Sequence, residues 1–320
     1  MREEEMTAVK KQFSFPSAAG GCSIEAVRWL PADGNVRAVM QIGHGMLEHI
    51  GRYDAFAEYF VRHGFAVYGS THLGHGMSIN REYPRGYFGK NNRDGAIFLK
   101  DLKQMMDIAR TEHPDVPYVY FGYSMGTFLG RMLLAEFGEE IDAAVLCSTG
   151  IPDLSMKAMI RMLRLLPSFM EKKPAPALCN MVFKKYNART EKRTNRDWLS
   201  ADPDYVDASF QDRKLDFYFT YLSFRDILTL YVASVDPKVF EKTRTDMPIL
   251  FLSGEQDPVG NYGKGVRKVV RQYRTSGHDR VEMKLYPGRR HEIHLEPTGP
   301  EIWKEAEAFL ERSIPEAFCK

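Results

Sequence analysis

Short β-rich runs alternate with longer stretches of helical periodicity over most of the chain, the form expected of a sheet whose strands are joined by crossover helices. The first strands are predicted at about Gln12 to Phe15, Ser23 to Trp29, Ala38 to Ile42 and Phe65 to Gly69. Phe56, Tyr59 and Phe60 recur at helical spacing and place a helix from about Tyr53 to His63 between the last two. A second helix is predicted from about Arg93 to Arg110, where Pro114 and Pro117 end it and lead into the strand Tyr118 to Phe121. Met125 to Phe137 reads as a helix closed by Gly138, and Ala143 to Cys147 as a buried strand. The alternation resumes with a strand from Ile249 to Ser253, a helix from about Tyr262 to Tyr273, a strand from Val281 to Tyr286 and a last helix from about Pro300 to Arg312. Parallel pairing is the expectation for strands joined this way.

Between Ile151 and Val235 the pattern changes. This stretch is helical, Met-rich and basic, and Pro167, Pro174, Pro176 and Pro203 interrupt it. It reads as an insertion, so the expected organisation is an α/β core from residues 1–150 and 236–320, with helices on both faces of a mostly parallel sheet and a helical cap at 151–235.

With 44% apolar and 12% aromatic residues in 320, the composition is that of a globular chain, and a formal charge of +2 argues against a nucleic-acid partner. The four cysteines (Cys22, Cys147, Cys179, Cys319) lie far apart with no C-x-x-C pair, a spacing that supports neither a structural zinc motif nor a disulfide framework. The N-terminus is charged rather than apolar and no stretch approaches the length of a membrane span, so a soluble, cytoplasmic protein is expected.

The strongest chemical signal is GYSMG, Gly122 to Gly126, placed between an apolar strand and a clear helix. A sharp strand-to-helix turn there lifts a serine hydroxyl above the sheet, and the flanking glycines avoid collision with neighbouring backbone. Ser124 is the candidate nucleophile. A serine hydroxyl is weak at neutral pH and needs a histidine base oriented by a carboxylate, each in a loop after a later strand. Asp257, in LSGEQDPVG, and His291, in LYPGRRHEIH, occupy those places in the order Ser, Asp, His, with Glu255 as the alternative acid and His278 and His294 as less suitable bases. Two backbone N–H groups are needed for the oxyanion: Met125 follows the nucleophile, and Met46 lies in the glycine-bearing loop GHGMLEH. His44, Glu48, His49, His72 and His75 lack the H-E-x-x-H spacing of a metal site, and no metal or cofactor is expected.

These residues resemble the α/β-hydrolase superfamily, and within it the monoacylglycerol lipase and lysophospholipase branch. The resemblance rests on HGMLEHIGRY (44–53), THLGHGMS (71–78), GYSMG, SGEQDPVG and RRHE, and on RDWLSADPDYVDASFQD (196–212) and FRDIL (224–228), which look like cap segments of bacterial members. It implies Ser124, Asp257 and His291 as the triad, Met46 and Met125 as oxyanion donors, and the histidine cluster as support for the oxyanion loop.

Eleven basic residues against four acids give Ile151 to Ser200 a net charge of +7, leaving −5 on the rest of the chain. The segment therefore faces something anionic. In Leu154 to Leu166, Lys157, Arg161 and Arg164 form a basic stripe on an otherwise apolar helix. Met156, Met159, Ile160 and Leu163, with Phe217 and Tyr218 further on, are the expected acyl-pocket residues, and transient contact with a membrane surface is the expected role of the basic face. The expected function is hydrolysis of single-chain lipid esters, monoacylglycerol or lysophospholipid, through an acyl-enzyme. A short-acyl carboxylesterase or thioesterase is the alternative, and a non-catalytic binding module on the same fold is the reading from another class.

Overall fold

The computed structural model describes residues 8–318. Eight strands, β1 (Ala8–Pro16), β2 (Ser23–Pro31), β3 (Ala38–Gly43), β4 (Phe65–Ser70), β5 (Tyr118–Tyr123), β6 (Ala143–Cys147), β7 (Ile249–Gly254) and β8 (Val281–Tyr286), form one sheet in the order β1-β2-β4-β3-β5-β6-β7-β8. From β4 to β8 every pairing is parallel. Parallel pairing fails only at β2, which runs antiparallel to both β1 and β4 because β1 and β2 are joined by a short turn rather than a crossover helix.

Strands β3 to β7 are buried on both faces, which is why they read as nearly unbroken apolar runs. Alternate residues go to opposite cores. Val119, Phe121, Val145 and Leu250 meet α1 (Asp54–Arg62) and α10 (Gly299–Ser313), whereas Tyr120, Leu146 and Phe251 meet α2 (Ala96–Glu112), α3 (Met125–Phe137) and α9 (Lys264–Thr275). Each fully buried Val, Leu, Ile or Phe contributes about 1.5–3 kcal/mol, so this two-sided burial fixes the strand ends that carry the site. The edges are blunted by charge, with Lys10 and Lys11 on β1 and Glu282 and Lys284 on β8.

Between β6 and α8 (Pro237–Lys242) the chain forms α4 (Leu154–Arg164), α5 (Pro176–Tyr186), α6 (Pro203–Ser209) and α7 (Tyr221–Ala233). Two of the four prolines that interrupt this stretch start helices rather than break them: Pro176 and Pro203 occupy first-turn positions, and Asp202 caps α6 through the N–H groups of Asp204 and Tyr205. Helix α7 is buried on nearly all sides, from Leu222 to Tyr231. Among the described residues no helix is long and apolar enough to cross a membrane. Cys22, Cys147 and Cys179 are free and buried, and Cys319 lies outside the described residues.

Candidate active site

All the candidate groups stand on loops at the carboxyl ends of parallel strands, where an α/β sheet opens a crevice. Ser124 links β5 to α3 with φ 49° and ψ −114°, a left-handed backbone that costs a non-glycine residue about 1–3 kcal/mol. Two glycines permit it. A Cβ on Gly126 would lie 1.9 Å from the Gly43 carbonyl oxygen, and one on Gly122 would lie 2.6 Å from that of Gly126. The Ser124 N–H donates to the Cys147 carbonyl at 3.0 Å, and Thr127 Oγ1 donates to the Ser124 carbonyl at 2.7 Å, so the turn is held from both neighbours.

Ser124 Oγ lies 2.9 Å from His291 Nε2, and His291 Nδ1 lies 3.0 Å from Asp257 Oδ1, off the line of an ideal ring N–H bond. All three side chains are buried. Asp257 also accepts from the Val259 N–H at 2.9 Å and from Ser253 Oγ at 3.4 Å, which fixes the carboxylate that faces the imidazole. Glu255 is exposed and His278 is bonded between the carbonyls of Tyr273 and Thr243, away from the serine.

Met125 opens α3, so its N–H is one of the four without an intrahelical acceptor. Met46 borders the serine from the loop after β3, where Leu47 has φ 55° and Glu48 takes the Gly45 N–H. That loop rests on the histidine cluster: His44 Nδ1 donates to the Gly45 carbonyl at 2.7 Å, and the His72 N–H donates to His44 Nε2 at 2.9 Å. Burial keeps these rings neutral, with His72 lowered to about 4 and His75 to about 3.

A buried ion network ties this loop to the histidine loop. Arg52 reaches Glu48 at 2.9 Å and both oxygens of Glu292 at 2.7 and 2.9 Å, and Tyr205 from α6 donates to Glu292 at 2.8 Å. Burial raises Glu48 to about 7. Burial also pushes Glu292 up, but the Arg52 guanidinium outweighs it and holds that carboxyl at about 2.

Two cavities meet at Ser124 and Met46. One, of about 280 Å³, is apolar and lined by Met156, Met159, Phe128, Phe224, Ile227, Leu228 and Tyr231. The other, of about 80 Å³, is lined by Arg52, Asn195, Arg196, Trp198, Asp216, Phe217, Tyr218 and Glu292. Of the anticipated pocket residues, Met156 and Met159 line the apolar cavity, and Phe217 and Tyr218 line the smaller one. Ile160 and Leu163 line neither; they are 6% and 4% exposed and pack into the hydrophobic core, because helical spacing sets a face without saying which neighbour it meets. Asn195, Arg196 and Trp198 sit in an irregular loop that carries no periodic signal.

The sequence profile of the serine aminopeptidase S33 family matches residues 34–298, a span holding every group described above. The chain belongs to this family. Among similar proteins of the family branch are a monoacylglycerol lipase of Mycolicibacterium smegmatis, 27% identical over 297 residues that span 91% of this chain and 94% of that one, and the mouse monoglyceride lipase, 27% identical over 84% of this chain and 79% of its own. A solved structure of a highly thermostable carboxyl esterase from Bacillus coagulans, in complex with glycerol, superposes with a TM-score of 0.88 at 28% identity, covering 96% of this chain and 99% of the esterase. The fold of this family member is thus the α/β-hydrolase fold.

Proposed function

We propose that this carboxylic ester hydrolase cleaves monoacylglycerols through an acyl-enzyme on Ser124. The observation that carries the reading is the placement of Ser124 where an apolar cavity meets a second one that mixes aromatic and apolar side chains with Arg52, Asn195, Arg196, Asp216 and Glu292. The first suits an acyl chain and the second the leaving alcohol. The second cavity is lined by two arginines and two carboxylates, which offers no net positive charge for a phosphate ester and favours glycerol over a lysophospholipid head group.

In this mechanism Ser124 Oγ attacks the ester carbonyl as its proton passes to His291 Nε2, and the Met46 and Met125 N–H groups receive the oxyanion. His291 returns the proton to the departing glycerol oxygen, Asp257 stabilising the imidazolium. Water, deprotonated by the same imidazole, then releases the fatty acid.

Residues 151–235 act as a cap over both cavities. Their outer side exposes Met162 (52%), Leu165 (85%) and Phe169 (67%) among Arg161, Arg164, Lys172 and Lys173, a composition suited to an anionic bilayer surface. Co-sedimentation with phosphatidylglycerol vesicles, lost in Leu165→Asp and absent with phosphatidylcholine, is the expected result.

The substrate assignment is tested with glycerol monoesters and p-nitrophenyl esters of two to sixteen carbons beside lysophosphatidylcholine. Rates that peak at medium or long chains, with the glycerol ester preferred, support it. Cleavage of only the shortest esters makes the protein a short-acyl esterase, and preference for lysophosphatidylcholine overturns the head-group assignment.

A further inference from the structure

The structure assigns a positioning role to Arg290: it registers the loop of His291 on the inserted segment Asp197 to Ser200, so that this strip is part of what aims the base. The inference rests on His291 being the base. Arg290 Nη1 donates to the carbonyls of Asp197 at 2.8 Å and Ser200 at 3.0 Å, the two ends of the strip, and Nη2 reaches both oxygens of Glu191 at 2.8 and 2.7 Å. Between those ends, the single carbonyl of Leu199 accepts the N–H groups of both His291, at 2.9 Å, and Glu292, at 2.7 Å. From the opposite side Ser148 Oγ donates to the His291 carbonyl at 2.6 Å. The Trp198 ring, carried by the same strip, lies 4.9 Å from the imidazole, which Tyr123 flanks at 5.1 Å.

Stability alone is a poor account of this arrangement. Glu191 is 70% exposed, and an ion pair with one end in water contributes little, about 0–1 kcal/mol. Arg290 itself is buried and directs Nη1 to the two carbonyls that flank Trp198 and Leu199, which holds the acceptor of the His291 backbone N–H in place. Without the guanidinium both carbonyls lose their donor, the strip relaxes, and the acceptor that holds His291 moves with it. A misplacement of about 1 Å in a catalytic group can cost roughly 100-fold in rate. Arg290 lines neither cavity at Ser124 and so makes no direct contact with substrate; Trp198 and Leu199 of the strip do line the smaller cavity, so the loss in kcat is accompanied by at most a modest change in KM.

The test compares Arg290→Met and Arg290→Lys with the parent on a medium-chain ester, with rates expressed per active site titrated by a fluorophosphonate. The Met variant is expected to lose roughly 10- to 100-fold in kcat with KM within about 3-fold, to react with the fluorophosphonate more slowly by a similar factor, and to be partly rescued by Lys. A kcat within 2-fold of the parent, or a loss carried by KM, overturns the role. If the Met variant does not fold, the Lys variant decides alone: reduced kcat at unchanged KM supports the role and parental kcat refutes it. Hydrolysis that survives Ser124→Ala would instead refute the acyl-enzyme reading, whatever Arg290 does.

Discussion

Replacing Arg52 by Met removes the cation shared by two buried carboxylates. Glu48 and Glu292 have side chains 2% and 5% exposed and lie 2.9 and 2.7 Å from the guanidinium. Leaving a buried charge without its partner costs about 3–5 kcal/mol. At about 2 °C per kcal/mol for a chain of this size, Tm is expected to fall by roughly 6–10 °C at pH 7. The pH dependence carries a sign. Glu292 is depressed to about 2, so its stabilisation is present above the unfolded carboxyl value near 4.3 and is lost as pH falls towards 2. Glu48, raised to about 7, acts oppositely and weakens the fold as pH rises from about 4.3 through 7. The gap between parent and variant should therefore be full at pH 7 and narrow below pH 4.5. Replacing Glu292 by Leu in the same chain should recover part of the loss, since apolar groups then fill the site. Thermal melts followed by circular dichroism at pH 7 and pH 3 measure all of this. A fall under 2 °C at pH 7, or a gap that persists unchanged in acid, would refute the network as drawn.

Gly126→Ala places a methyl 1.9 Å from the Gly43 carbonyl, forcing α3 away from the oxyanion loop; kcat should drop by roughly 100-fold, measured on a soluble ester. Ile227→Trp fills the apolar cavity, so kcat/KM should fall at least ~10-fold for a twelve-carbon ester and less than ~3-fold for an acetate ester, read from the same series. His75 stacks on Phe88 and its ring is held neutral by burial, so below pH 6.5 the unfolded chain takes up a proton that the folded chain refuses until about pH 3. His75→Phe should flatten the acid loss of stability by about 1.4 kcal/mol per pH unit across that window, as measured by urea unfolding at pH 4, 5 and 6.

The three candidate catalytic residues were legible because each follows a strand with a definite end: Ser124 after the apolar run of β5, Asp257 after that of β7, and His291 after the alternating β8. The crossover helices made the parallel pairing from β4 to β8 legible as well, but not the direction of β2, which runs against both neighbours, since alternation of apolar residues is blind to polarity. The helix predicted from Arg93 begins only at Ala96 because Asp94 is left-handed at φ 55°. Glu48 and Arg52 stand at i, i+4 spacing, but Glu292, 240 positions away from Arg52, joins them only through the fold. The smaller cavity was legible only at Phe217 and Tyr218, because Asn195, Arg196 and Trp198 come from a loop without period.

Acylation of Ser124 is read most directly by rapid mixing with a medium-chain p-nitrophenyl ester. A burst of p-nitrophenol approaching one equivalent per chain is expected, with a chain heavier by the acyl mass in acid-quenched samples and the loss of both in Ser124→Ala. Turnover without a burst or a mass increase, or acylation that survives in Ser124→Ala, would contradict an acyl-enzyme on Ser124.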